Sequence, residues 1–238
     1  MAGELLHVAY KGCSAGSLVG YGSLLDYMPA QPISNTLSNQ TLGLRFDGGY
    51  KPESIDTKFL YTAEFAQQSD YAEGAATVEG DYVNLMFGVD VSDVQLKLNY
   101  EVLSGDGVYG FATPLATLHA FNGWADKFLT TPRDGIKDIF LSASAVVLEG
   151  INLAGAYHLY SADNLGYDYG SELNLQVAKK INKSLVVTAK YAAYSADTSF
   201  GLSLDCPKHY FPRAEGRHPG ALRYRALTMA LQRWTTPL

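Results

Sequence analysis

Four groups of residues have types and spacings that could do chemistry. Gly12-Cys-Ser-Ala-Gly16 matches the G-x-S-x-G nucleophile elbow, in which a sharp strand-to-helix turn exposes the serine beside an oxyanion hole. The residues that follow Ser14, Ser17 to Tyr27, hold two glycines and read as a strand, so the motif reduces to a tight turn of small residues. Gly105-Asp-Gly-Val-Tyr-Gly110 matches G-x-G-x-x-G, with Asp126 near the distance of a ribose-binding acid. That fingerprint needs a buried parallel strand before it and a helix after it. The preceding segment alternates polar with apolar residues and Pro114 interrupts any helix, which leaves a glycine-rich loop tip. His119, Asp126, Asp134 and Asp138 fall together in a long loop, but their spacing fits no zinc pattern such as H-E-x-x-H. No metal and no cofactor is expected.

The fourth group is spread out. Lys11, Arg45, Lys58, Lys97 and Lys190, with Asp47, Glu64, Glu101 and Glu172, recur on the polar side of alternating segments. A strand sends successive side chains to opposite faces, so these charges share one face of a sheet. If that face encloses water, they line a bore of mixed sign, whereas a conduit for a polyanion should be clearly basic.

The elements that must position them have a period of two. Leu42, Leu44, Phe46 and Tyr50 alternate with Thr41, Arg45 and Asp47; Phe59, Tyr61, Ala63 and Phe65 alternate with Lys58, Thr62, Glu64 and Gln68. Similar alternation marks 93–104, 169–179 and 184–196, and less regularly 4–11, 17–27, 80–91, 138–148 and 151–161. Ten strands of about ten residues are therefore expected. The links alternate between short (12–16, 51–54, 92–93, 149–150, 181–183) and long (28–39, 69–79, 105–137, 162–168). An up-and-down antiparallel meander with two unlike ends produces this.

Composition decides which face meets what. The chain has 238 residues, 47% hydrophobic and 12% aromatic, too apolar for disorder. Charged residues are 18%, below the roughly 25% of soluble domains. The net charge of -6 argues against nucleic-acid binding. Two cysteines make no disulfide scaffold, no apolar run reaches helix-spanning length, and the first residues lack the pattern of a secretory signal, so the chain as given is not expected to be exported. Strand length, low charge and tyrosines near strand ends (Tyr10, Tyr27, Tyr50, Tyr71, Tyr100, Tyr160, Tyr169, Tyr194) favour a transmembrane β-barrel with lipid outside and a polar lumen. The competing reading is a soluble β-barrel that binds an apolar ligand in its interior.

The stretch 109–140, YGFATPLATLHAFNGWADKFLTTPRDGIKDIF, resembles the signature of the alginate-export family of outer-membrane porin-like proteins. LRFDGGY at 44–50, LYTAEFAQQSDY at 60–71 and KYAAYSAD at 190–197 resemble it as well. The resemblance implies a bacterial outer-membrane barrel, with this chain as its C-terminal portion. It also implies passive diffusion of small polar or anionic solutes and, as partners, membrane lipid and the barrel-assembly machinery. The long loop is then expected either to fold inward and narrow the pore, with Phe111, His119, Phe121, Trp124, Asp126, Lys127, Phe128 and Arg133 at the constriction, or to pack as a surface loop. No enzymatic activity is expected.

The barrel portion is expected to span 1–198. Residues 199–238 differ: they hold six basic and two acidic residues, leaving 12 basic against 22 acidic in 1–198, and they carry Pro207, Pro212, Pro219 and Pro237. This tail reads as an atypical extension, disordered or frame-shifted, in place of a closing strand with an aromatic end.

Overall fold

The computed structural model describes residues 2–27, 37–116, 122–148, 150–183, 185–197 and 223–233. His119 and Phe121 lie outside the described residues, as does most of the 199–238 tail. Regular structure among the described residues is one antiparallel sheet. Its strands are β1 (Ala2–Cys13), β2 (Gly16–Asp26), β3 (Asn39–Tyr50), β4 (Thr57–Asp70), β5 (Glu79–Val91), β6 (Val94–Leu103), β7 (Ile136–Leu148), β8 (Ile151–Ser161), β9 (Asp168–Asn182), β10 (Leu185–Ala196) and β11 (Arg223–Arg233). Their order in space is their order in sequence. The first ten match the expected segments within a few residues. β11 is an eleventh that the alternation did not single out, paired with β10 from Leu185↔Arg233 to Ser195↔Arg223. The four tail prolines fall on either side of it in sequence and lie outside the described residues.

Links at one end of the sheet are short (14–15, 51–56, 92–93, 149–150, 183–184), and those at the other are long (27–38, 71–78, 104–135, 162–167, 197–222). Ser14 sits in the first short turn. It is followed by strand, so the elbow motif has no helix to open. Gly105 and Gly110 form an isolated antiparallel bridge that closes a loop tip, with Gly107 at φ +90. No phosphate-cradling strand-to-helix turn forms there.

The sheet inverts the burial order of a soluble protein. Leu42, Leu44, Phe65, Leu85, Phe87, Leu96, Leu98, Leu141, Leu175 and Val187 are exposed on the outer face. Thr62, Gln68, Glu101, Asp138, His158, Glu172 and Asn174 are buried on the inner one. A soluble barrel would turn these sets the other way, because leaving so many large apolar side chains in water forfeits about 1.5–3 kcal/mol for each one. A hydrocarbon surround removes that cost and forbids unpaired backbone instead. Tyr10, Tyr50 and Tyr100 point outward and are exposed near strand ends, as interfacial tyrosines should be. Tyr160, Tyr169 and Tyr194, expected in the same role, are buried on the inner face. Tyr160 and Tyr194 fall on inward positions of β8 and β10, Tyr169 is turned in at the register shift between β8 and β9 beside Gly170 at φ +126, and Phe128 of the loop packs against all three.

β1 is exposed along its whole length on both faces, and among the described residues it pairs only with β2. β1 and β11 are the two edges of an unclosed sheet.

Candidate functional site

Register builds the site. Arg45 on β3 stands directly across from Glu64 on β4, Glu64 from Asn84 on β5, Asn84 from Glu101 on β6, and Glu101 from Asp138 on β7. Five polar side chains thus form one unbroken row around the inner wall. The adjoining row runs Asn99, Phe140, His158, Glu172, Tyr194 across β6 to β10. Of these residues, Arg45, Glu64, Glu101 and Glu172 were legible as inward charges. Asn84 and His158 are not among the expected inward charges, and Asp138, which the sequence groups with the loop, lies in β7. Asp138 is fully buried, and its Oδ2 lies 2.9 Å from Nδ1 of His158, whose ring stacks between Phe140 and Tyr160. The signal was present in the parity of 138 and 158, but reading it requires the cross-strand register.

The charges satisfy one another. Arg45 donates from Nε to Asp47 Oδ2 at 2.6 Å, from Nη2 to Asp47 Oδ1 at 2.9 Å, and from Nη1 to Glu64 Oε2 at 3.3 Å. Thr62 Oγ1 donates to Asp47 at 2.7 Å and the Tyr21 hydroxyl to Glu64 at 2.7 Å. Lys190 lies 4.6 Å above the Trp124 ring, a cation–π contact. Lys11, on the exposed edge strand, and Lys58, opposite Asp90, stand apart from this group. Lys97 is half-buried between Gly88 and Ser142.

The loop between β6 and β7 folds onto this wall and is fixed by main-chain bonds to wall side chains. Gln68, fully buried on β4, donates from Nε2 to the Ala112 carbonyl at 3.0 Å. Its Oε1 accepts the Ala112 N–H at 2.9 Å and the Tyr109 hydroxyl at 2.6 Å. Glu101 accepts the Asn122 amide at 3.0 Å, and Glu172 accepts the Ala125 N–H at 2.8 Å. Gly123, at φ +88, lies so close to the Tyr160 hydroxyl and the Glu172 carboxylate that a Cβ there would overlap both. Phe111 stacks on Tyr82 at 5.7 Å, and Phe128 packs among Tyr160, Tyr169 and Tyr194 at 4.8–6.0 Å. Trp124 and Lys127 are half-buried, while Asp126 and Arg133 are exposed. The Arg133 carbonyl accepts the Gly107 N–H at 2.9 Å. No group of three metal-ligating side chains forms among the described residues.

No protein-family model matches the chain, and no curated protein matches it. Solved structures do. The chain superimposes on the crystal structure of Pseudomonas aeruginosa OccK5 (OpdH) with a TM-score of 0.62 at 11% identity, over 98% of this chain and 58% of that one. It superimposes on Acinetobacter baumannii OccAB3 with a TM-score of 0.58 at 15% identity, over 98% of this chain and 55% of that one. These likenesses show the fold: an all-β, up-and-down antiparallel transmembrane β-barrel wall. The chain spans little more than half the length of either structure.

Proposed function

We propose that the chain forms a large part of the wall of an outer-membrane, porin-like channel for passive diffusion of small polar solutes, with the 104–135 loop as its constriction. The observation that supports this reading best is the inverted burial: an apolar outer face, and inside it a hydrogen-bonded polar row with a loop latched across it. Arg45, Asp47, Glu64, Lys97, Glu101, Glu172 and Lys190 line the bore, with Lys11 and Lys58 farther from its narrowest part. Phe111, Trp124, Asp126, Lys127, Phe128 and Arg133 belong to the constriction. β11 continues the wall beyond the compositional break at 198. Lipid is the surround, and assembly into it proceeds through the barrel-assembly machinery. The interior charges named are five positive and four negative, a mixed bore and not a clearly basic one, so a long polyanion such as alginate is not the permeant it favours.

The test is solute flux in proteoliposomes before and after removing the latch. Gln68→Leu breaks three loop contacts and should widen the constriction, raising the flux of larger sugars relative to small ones. A chain that stays soluble and monomeric without detergent, or a flux unchanged by loss of the latch, would contradict the proposal.

A further inference from the structure

A cavity of about 340 Å³ lies between Phe111–Ala116 of the loop and the inner face of β2 to β6. We infer that it is a recognition site for a small solute carrying a primary ammonium group on a short carbon chain. The inference rests on the channel reading and names the solute class for it, in place of the anionic class that the family resemblance implies.

The donors and acceptors of the lining lead there. Tyr21 spends its hydroxyl proton on Glu64 Oε1 at 2.7 Å, and Tyr82 spends its own on Glu101 Oε1 at 2.7 Å. Asn84 donates from Nδ2 to the Tyr82 hydroxyl at 3.2 Å, and Asn122 to Glu101 Oε2 at 3.0 Å. Arg45 is turned onto Asp47 and Glu64. The tyrosine, amide and guanidinium donors are therefore directed at acceptors of the wall itself. One N–H of each amide and two of Arg45 are left over, against a larger remaining acceptor capacity. Among the described residues Asn84 Oδ1 is buried with no hydrogen-bond partner, and the carboxylate oxygens of Glu64 and Glu101 each keep a second lone pair. The hydroxyls of Ser23, Thr41 and Thr113 serve either way. Glu64 and Glu101 of the lining, with Asp47 beside it, bring three carboxylates against the single guanidinium of Arg45, so the field in the cavity favours a cation. An ammonium group brings three donors and one positive charge, the complement of this surface. Leu25, Leu103, Phe111, Pro114 and Leu115 supply apolar surface for the attached chain.

The experiment is saturation-transfer difference NMR on the full chain folded in detergent, with n-butylammonium chloride and sodium butyrate at equal concentration. Butylammonium should receive saturation, strongest at the methylene beside nitrogen, and butyrate little. Glu101→Gln and, separately, Glu64→Gln should each weaken butylammonium binding by about tenfold or more, the scale of one charge-assisted hydrogen bond. Lys51→Gln, in a turn at the far end of the sheet, should leave it unchanged. Glu64→Gln serves as the independent probe where Glu101→Gln fails to fold, since the Glu64 side chain keeps 10% of its surface exposed at the rim. Butyrate binding as tightly as butylammonium, or butylammonium binding untouched by either substitution, overturns the inference. A chain that passes solutes yet prefers butyrate refutes only this assignment. A chain that binds butylammonium but passes nothing refutes only the channel.

Discussion

The carboxylate of Glu172 on β9 accepts the main-chain N–H of Ala125 at 2.8 Å, 47 positions back along the chain. A wall side chain thus holds a loop by its backbone, and Gly123, two residues before Ala125, passes close enough to the Tyr160 hydroxyl to exclude any side chain. The Ala125 N–H is buried and takes this bond in place of water, so removing its acceptor exposes the desolvation cost of the donor. Glu172→Leu should loosen the loop by about 1–3 kcal/mol, read as faster hydrogen exchange at the Ala125 amide. Glu172→Gln, which keeps a carbonyl acceptor, should lose less. Unchanged exchange in Glu172→Leu would show that the bond does not hold the loop.

The loop tip should respond to pH in two directions. Asp106 Oδ1 accepts the N–H groups of Tyr109 and Val108, each at 2.7 Å. The Tyr109 amide first, and then that of Val108, hold its carboxyl below the usual carboxylate range. Because the folded value is depressed, the turn is stabilised at neutral pH and loses that support as pH falls through the lowered value. The amide resonances of Val108 and Tyr109 should therefore stay constant through the ordinary aspartate range near pH 3.9 and move only below it. In Asp106→Asn they should not titrate. At the alkaline side, burial pushes the Tyr109 phenol up to about 12. Its bond to Gln68 is fully supported below the ordinary tyrosine value near 10 and is lost as pH rises through the raised one. Movement of the two amides centred on the ordinary aspartate value would contradict this account.

The sequence displayed the wall more fully than the site. Alternation of Leu42, Leu44 and Phe46 with Thr41, Arg45 and Asp47 fixes a strand and its two faces within a few residues, because period two is a local property. The alternation of short and long links gave the meander in the same way. Which inward residues meet is not local. Arg45, Glu64, Asn84, Glu101 and Asp138 form a row only once four strand registers are set, and a slip of one residue in any of them would break it. The Gln68–Ala112 and Glu172–Ala125 contacts join a side chain to a distant main chain, and a backbone N–H leaves no trace in residue type. Leu227, Met229 and Leu231 alternate in β11 as clearly as earlier strands do. The prolines and arginines around it give the same stretch the composition of an extension.

A charge placed on the outer face should be costly where the same charge inside is not. Leu98, at the middle of β6, is 54% exposed in the absence of lipid. Leu98→Lys should destabilise the chain in bilayers by about 2–4 kcal/mol, the range for a cation near the midplane of a barrel's lipid face. Asn99→Lys, its inward neighbour, should stay within about 1 kcal/mol of the parent if the inner face meets water. Urea unfolding in bilayers followed by tryptophan fluorescence measures both, and equal costs would remove the distinction between the faces.

The most direct test of the account is to ask each face what it touches. Single spin labels at Leu42, Leu44 and Leu98 and, as partners of opposite parity, at Thr41, Ser142 and Gln176 can be read in bilayers by collision with oxygen, which concentrates in lipid, and with a water-soluble nickel chelate. The account predicts that the first three labels collide mainly with oxygen and the second three mainly with nickel, with a two-residue period along β3. Nickel access at Leu42, Leu44 and Leu98, with oxygen favoured at Thr41, Ser142 and Gln176, would contradict it.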